Sequence, residues 1–138
     1  MASQQELQQK LMAYQMLQQQ LEELRNQATL LQGRMAELES TRIALEDLGN
    51  VKDGTETFVP LGSGLFANGT VTKGDLLVDI GAGVMGIRTL KEANEVLEKH
   101  RKEVDDFAEK LQTEMTRVIT QITAIGSELE VAVKEQEK

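Results

Sequence analysis

The chain has 138 residues, a net charge of −8, three Phe and one Tyr as its only aromatic residues, and no Cys, which leaves room for one domain but little material for a large globular core. The acidic excess is spread along the chain without a Lys/Arg cluster, which argues against binding to nucleic acid or to an anionic membrane surface. The absence of Cys excludes a disulfide framework. There is also no apolar run of about 20 residues and no apolar signal core. Together these features predict a cytoplasmic protein.

The first predicted element is a long helix over residues 4–48, which contain no Pro and a single Gly. Apolar residues recur every seven positions. The two core positions hold Leu7, Tyr14, Leu21, Ala28, Met35 and Arg42, and Lys10, Leu17, Leu24, Leu31, Leu38 and Leu45. Five consecutive Leu at one core position predict a coiled coil. Ser3 with Glu6 predicts a capping box at the start, and Gly49-Asn50 predicts a left-handed stop.

The middle of the chain, residues 50–88, holds most of the Gly and the only Pro. Short β-prone runs alternate there with turn residues, and they predict strands over 56–61, 65–71, 76–80 and 84–88. Gly62-Ser63-Gly64 and Gly81-Ala82-Gly83 are the predicted hairpin turns, and Asn68-Gly69 is a competing turn signal. Pro60 cannot donate to a β ladder, so we expect it on an edge strand or at a strand end.

The last predicted element is a second heptad-bearing helix over residues 89–137, with Thr89 and Glu92 spaced as a capping box. Its two core positions hold Leu90, Leu97, Val104, Leu111, Val118, Ile125 and Ala132, and Asn94, Arg101, Ala108, Met115, Ile122, Leu129 and Gln136. Two helices of similar length flank a short insert, so folding back on each other covers both apolar stripes.

The predicted fold is therefore mainly α with a small β insert: a long antiparallel two-helix coiled coil with two β hairpins between the helices. We expect one domain over 1–138, with helices over 1–49 and 89–138 and a double hairpin over 50–88. Arg42, Asn94 and Arg101 interrupt the apolar seam near the insert. They either select one register, as polar core residues do, or reach solvent at a loose end of the pair.

The β insert is predicted to need neighbouring chains, because four short strands bury too little apolar area to be stable alone and leave exposed edges. Residues of the insert expected at an oligomer interface are Phe58, Pro60, Leu65, Phe66, Val71, Leu77, Val78, Ile80, Val84 and Ile87. Pairing with β segments of other subunits would cover them.

Catalysis is not predicted. Residues 81–86 match the dinucleotide fingerprint, but the long helix that follows leads to no second strand, so a hairpin turn is the better interpretation. His100 lies among charged residues, where a lone His is usually solvated. No nucleophile–base pair, phosphate loop or metal-ligand cluster appears, so we predict no catalytic, cofactor-binding or metal-binding residues and no enzyme activity.

The free ends of the two helices carry apolar residues outside the heptad stripe. They are Leu11, Met12 and Met16 in the first helix, and Ile119, Val131 and Val133 in the second. Antiparallel packing would bring these ends together with more apolar surface than two helices hide. Such a tip could grip non-native polypeptides, could dock on one folded partner or in a larger bundle, or could be a frayed end without a role.

The most specific segments of the chain are Phe58-Val59-Pro60-Leu61-Gly62-Ser63-Gly64-Leu65-Phe66, then Leu77-Val78-Asp79-Ile80-Gly81-Ala82-Gly83-Val84, then Glu92-Ala93. With the heptads on either side, the sequence resembles the archaeal-type alpha subunits of prefoldin over nearly its whole length. The alpha class has two β hairpins between its helices and the beta class has one, so the four predicted strands fit the alpha class.

The resemblance implies an ATP-independent co-chaperone: a hexamer of two alpha and four beta subunits, with the hairpins as the assembly platform. The coiled-coil ends would hold unfolded client proteins and pass them to a cytosolic chaperonin, with no cofactor, nucleic acid or membrane involved. The tip residues it implies are Leu11, Met12, Tyr14, Met16, Leu17, Val118, Ile119, Ile122, Ile125, Leu129 and Val133. Those at seam positions would bind clients only where the helices splay. The alternative is a coiled-coil scaffold or tether that binds one specific folded partner.

Overall fold

The computed structural model describes residues 3–136, with Gln136 described by its backbone alone. It contains two long helices, α1 (Gln4–Asn50) and α2 (Leu90–Gln136), and four strands, β1 (Thr55–Gly62), β2 (Leu65–Val71), β3 (Leu76–Gly81) and β4 (Val84–Arg88). The predicted fold class is confirmed, and each observed strand boundary lies within one residue of the predicted one. The predicted limits at residues 1, 137 and 138 lie outside the described residues.

The chain forms two compact units, one built from the chain up to Arg34 and from Glu103 onward, the other from Met35–Lys102. The prediction of a single domain over 1–138 stays a prediction. In the first unit α1 and α2 run antiparallel. A later residue of α1 contacts an earlier residue of α2, as two polar contacts show. Lys10 Nζ lies 3.3 Å from Glu128 Oε2, and Gln20 Nε2 donates to Glu114 Oε1 at 3.4 Å.

Apolar residues at the predicted heptad positions form the core of this first unit. Val118 is fully buried, with Leu24 and Leu111 beside it. The partly buried residues packed against these three are Leu17, Leu21, Ala28, Leu31, Met115 and Ile122. All of these residues occupy the two core positions of the seven-residue repeat, so the repeat predicts this seam correctly.

The same helices lie antiparallel in the second unit, but polar residues enter the seam there. Arg42 and Arg101 keep side chains about two-fifths exposed and both reach the carboxylate of Glu39. Asn94 is exposed, whereas its neighbour Ala93 is buried. The predicted core position at Asn94 is therefore wrong by one residue, because the small Ala side chain takes the place closest to the seam at the start of α2.

The caps of the helices follow the sequence only in part. Ser3 Oγ accepts from the Glu6 amide at 3.1 Å, and Thr89 Oγ1 accepts from the Glu92 amide at 3.2 Å, as capping residues do. The predicted left-handed stop at Gly49-Asn50 is wrong, because both residues belong to α1 and neither has a positive φ. Lys73 Nζ instead donates to the Gly49 carbonyl at 3.3 Å and so stabilises the negative end of the helix.

Each hairpin is a separate two-stranded antiparallel sheet, β1 with β2 and β3 with β4. The predicted turns are confirmed. Ser63 and Gly64 have φ values of 52° and 78°, and Ala82 and Gly83 have 52° and 76°, which are the two positive angles of a type I′ turn. A register shift precedes each turn. The two hairpins thus repeat one local pattern, visible in the sequence as V-P-L-G-S-G-L-F and V-D-I-G-A-G-V-M.

The competing turn signal at Asn68-Gly69 is not used, since both residues lie within β2, opposite Phe58 and Thr57. A Cβ placed on Gly69 would lie 3.0 Å from Val59 Cγ2. Gly at this position therefore leaves space for the Val59 side chain on the facing strand. The Asn-Gly pair alone does not reveal this reason for a glycine inside a strand.

Candidate functional site

Two exposed apolar surfaces are the candidate sites. The first, which we call the helix-end surface, comprises apolar residues near the start of α1 and the end of α2 within the first unit. Its exposed members are Leu11, Met12, Met16, Ile119, Val131 and Val133. Met12 and Met16 are the most open of these, with 62% and 67% of their surface accessible. Their thioether side chains are flexible, which suits contact with partners of different shape.

The predicted tip residues divide into exposed and seam members. Leu11, Met12, Met16, Ile119 and Val133 are exposed, in agreement with their predicted position off the stripe. Those that are partly buried between the helices are Tyr14, Leu17, Ile122, Ile125 and Leu129. Val118 has no exposed surface. A partner could reach Val118 only if the two helices separated, so its assignment to the tip stays a prediction that depends on such an opening.

An open groove of about 700 Å³ adjoins the helix-end surface. Its lining combines apolar and amide side chains and contains a single carboxylate: Ala13, Met16, Leu17, Gln19, Gln20, Glu23, Gln121, Ala124 and Ile125. Amide groups both donate and accept hydrogen bonds and carry no charge. The groove therefore offers apolar contact and hydrogen bonds without selecting a partner by its charge.

The second candidate surface comprises the two hairpins, which we call the hairpin surface. Eight of the predicted interface residues are exposed, and five of them have exposed fractions from 62% to 67%: Phe58, Phe66, Leu77, Leu65 and Ile87. Val71 and Val78 are partly covered.

Cross-strand pairing groups the exposed residues of the hairpins on definite faces. Pro60 pairs with Phe66, next to Phe58 on the same face, and Leu77 pairs with Ile87. Every strand of a two-stranded sheet is an edge strand, which agrees with the position expected for Pro60 and leaves one row of backbone groups on each strand unpaired within its own sheet. The hairpin surface therefore offers both apolar faces and open edges to a neighbour.

Sequence reasoning missed several exposed apolar residues. Leu30 on α1 is 75% exposed and Phe107 on α2 is 51% exposed. Both lie outside the heptad core positions, and that displacement is the signal that could have identified them. In the hairpins, Leu61 and Met85 are exposed beside the predicted interface residues. The alternation of strand side chains would have included Met85, which shares a face of β4 with Ile87.

Charged residues near the seam form ion pairs. A hydrogen bond from the Arg42 guanidinium lowers the pKa of Glu39, and a hydrogen bond from Arg117 lowers the pKa of Glu114. Both carboxylates therefore stay ionised and act as structural partners of the arginines. Within residues 3–136 no group of three or more His, Asp or Glu side chains is placed to hold a metal ion.

Residues 81–86, which match the dinucleotide fingerprint, form a turn and a strand of the antiparallel β3–β4 hairpin. The hairpin interpretation is confirmed, because a nucleotide site of that kind requires the turn to join a strand to a helix beneath a parallel sheet. His100 is partly exposed on α2. Neither helix, over its described length, carries an apolar stretch sufficient to cross a bilayer.

Comparison with known proteins gives one consistent family. The model of the prefoldin subunit family matches residues 17–135. The chain is 32% identical to the prefoldin subunit alpha of Archaeoglobus fulgidus over 130 residues, covering 94% of this chain and 95% of the relative. It is 34% identical to the prefoldin subunit alpha of Pyrococcus horikoshii over 126 residues, covering 90% and 81%. A similar protein from Thermofilum pendens is 30% identical over 117 residues, covering 84% and 91%.

A solved structure has the same fold. The filamentous PFD from Methanocaldococcus jannaschii, determined by cryo-EM, matches with a TM-score of 0.73 and covers 87% of this chain and 98% of its own. The sequence identity is 22%, so this similarity speaks for the fold alone.

Proposed function

The chain belongs to the prefoldin family, and from that membership, which implies a co-chaperone role, we propose that it is an ATP-independent co-chaperone subunit for non-native polypeptides. It binds clients at the helix-end surface and delivers them to a cytosolic chaperonin. Clients are held by apolar contact, and their binding needs no nucleotide, metal or cofactor. The protein acts in the cytoplasm.

The observation that carries this proposal is the exposure of Leu11, Met12 and Met16 within two turns near the start of α1. The backbone groups of the helix are already hydrogen-bonded to one another, so only these side chains are available to a client. Their apolar contacts impose no fixed geometry on it. The adjoining groove lacks a cluster of like charges. A surface of this chemistry distinguishes exposed apolar segments from polar surfaces but does not distinguish one apolar sequence from another.

The test is suppression of aggregation, measured by light scattering, for several unrelated unfolding proteins without nucleotide. The variant Leu11→Ser/Met12→Ser/Met16→Ser should lose most of the suppression. Leu30→Ser/Ile43→Ser is the matched control, because both residues are exposed apolar residues of α1 outside the helix-end surface, and it should act like the unmodified chain. Equal activity of the two variants would contradict the proposal.

The same assay distinguishes the co-chaperone from the alternative of a scaffold or tether. A tether binds one folded partner and protects none of the unfolding proteins, whereas a co-chaperone protects several. Protection of none by the unmodified assembly would overturn the co-chaperone proposal and favour the tether.

For assembly we propose a complex of two copies of this alpha-type subunit with four beta subunits, joined through the hairpin surface. Prefoldin subunits form oligomeric complexes. The support here is that both hairpins expose apolar faces and edge strands, which neighbouring strands would cover. Native mass spectrometry of the chain purified with beta subunits should give the mass of the hexamer. Phe66→Ser/Ile87→Ser should dissociate it, while a monomer in the unmodified protein would refute the proposal.

A further inference from the structure

The segment of α2 over residues 113–126, named here the threonine segment, has a composition unfavourable to a helix. It contains Gly126 and eight β-branched residues: Thr113, Thr116, Val118, Ile119, Thr120, Ile122, Thr123 and Ile125. β-Branched side chains lose χ1 freedom in a helix, and Gly gives the backbone the greatest freedom to lose. The facing stretch of α1, residues 11–27, contains neither Gly nor a β-branched residue. The threonine segment therefore has a lower intrinsic helix propensity than the facing stretch of α1.

Hydrogen bonds of the threonine hydroxyls add to this difference. Thr113, Thr116, Thr120 and Thr123 each donate to the backbone carbonyl four residues earlier, at 2.9–3.1 Å. Those carbonyls also accept the amide bonds of the helix, and such back-bonding slightly destabilises a helix. All four side chains are exposed, so packing against α1 does not compensate for them.

What holds the threonine segment in a helix is contact with α1. Val118 is fully buried in the core that Leu24 and Leu111 share, with Ile122 packed against it. Two polar contacts between the helices in this unit, Gln20 with Glu114 and Lys10 with Glu128, lie near the two ends of the stretch 115–127. Within that stretch the described contacts to α1 are apolar. Apolar contacts can be replaced by those of another apolar chain at little loss.

We propose that the pair opens asymmetrically: the threonine segment of α2 loses its helix when an apolar ligand occupies its place on α1, while α1 remains helical. This inference rests on the proposed function for the nature of that ligand, an apolar segment of a non-native polypeptide. Loss of the helix in the threonine segment would separate it from α1, so that Val118 and Ile122 could contact a client.

Hydrogen exchange on the purified oligomer tests the proposal in two steps. Without a client, the amides of residues 116–127 should exchange at least about tenfold faster than those of residues 12–28. Binding of a chemically unfolded, reduced protein as the probe should speed exchange in 116–127 further and leave 12–28 unchanged. Equal exchange in the two stretches without a client would overturn the proposal.

The variant Thr120→Ala/Thr123→Ala should slow exchange in the threonine segment about fivefold, because Ala favours a helix. It should also weaken protection of clients without changing the mass of the oligomer. Thr29→Ala/Thr41→Ala is the matched control, since both threonines lie on α1, are exposed and make the same bond to the carbonyl four residues earlier. Identical behaviour of the two variants would refute the proposed opening.

The two proposals fail in distinguishable ways. Loss of the proposed function would appear as an unmodified oligomer that protects no client. The difference in exchange between residues 116–127 and 12–28 is measured without any client, so it tests the relative stability of the two helices independently of client binding.

Discussion

Val118 offers the most direct test of how the helix pair is held together, because it is the one large side chain among the described residues with no exposed surface at all. Val118→Ala removes the equivalent of two methylene groups from the core formed with Leu24 and Leu111. The lost burial and the remaining cavity together cost about 2.5 kcal/mol. Ala restores about 0.5 kcal/mol through its higher helix propensity. The free energy of unfolding should therefore fall by about 2 kcal/mol.

Thermal unfolding followed by circular dichroism of the helices measures this change, at a fixed protein concentration because association shifts the apparent stability. A loss of about 2 kcal/mol should lower the melting temperature by about 8 °C in a chain of this size. Ile119→Ala is the matched control, since Ile119 is the next residue on the helix and is 43% exposed. Its cost should stay under about 1 kcal/mol. Equal destabilisation by the two variants would show that the Val118 core does not hold the pair.

Three further predictions concern the helix, a turn and the pH. Gly126→Ala should raise the free energy of unfolding by about 1 kcal/mol in chemical denaturation, because the new Cβ would lie at an ordinary 3.5 Å from Tyr14 Cε2. Gly83→Ala should destabilise the β3–β4 hairpin by about 1 kcal/mol, since φ is 76°, and native mass spectrometry should detect weaker assembly. Arg42 lowers the pKa of Glu39 below the ordinary 4.5, so their pairing stabilises the fold above that pH and its contribution is lost as the pH falls through the lowered value. Acid titration of the melting temperature should show a smaller fall for Glu39→Gln.

The helices and hairpins were predictable because local chemistry determines them. Every heptad residue of α1 from Leu7 to Leu45 is buried or partly buried. The type I′ turns follow from Ser63-Gly64 and Ala82-Gly83, where a glycine permits the positive φ at the second position. In each case the residues that carry the signal lie within the element itself, so the sequence of that element is enough to predict it.

The wrong prediction at the end of α1 and the competing turn signal in β2 both involve a distant residue. Gly49-Asn50 looks like a helix stop, but Lys73, 24 residues later, bonds the Gly49 carbonyl and the helix continues to Asn50. Asn68-Gly69 looks like a turn, but Val59 on the facing strand occupies the space beside Gly69. A two-residue motif contains neither partner. The site assignments depend still more on distant residues, because exposure is a property of the folded chain and the contacts of an assembly are properties of several chains.

The two candidate surfaces differ in which part of the chain they leave open. In the hairpins each strand has an edge with unpaired backbone groups, and hydrogen bonds along such an edge demand a strand at one register. On the helices the backbone groups are satisfied within α1 and α2, so Met12 and Met16 offer side-chain contact alone. Directional bonds select a defined neighbour, and non-directional apolar contact accepts many partners. The exposed apolar area on the hairpins therefore suits fixed assembly, and that on the helix ends suits varied clients.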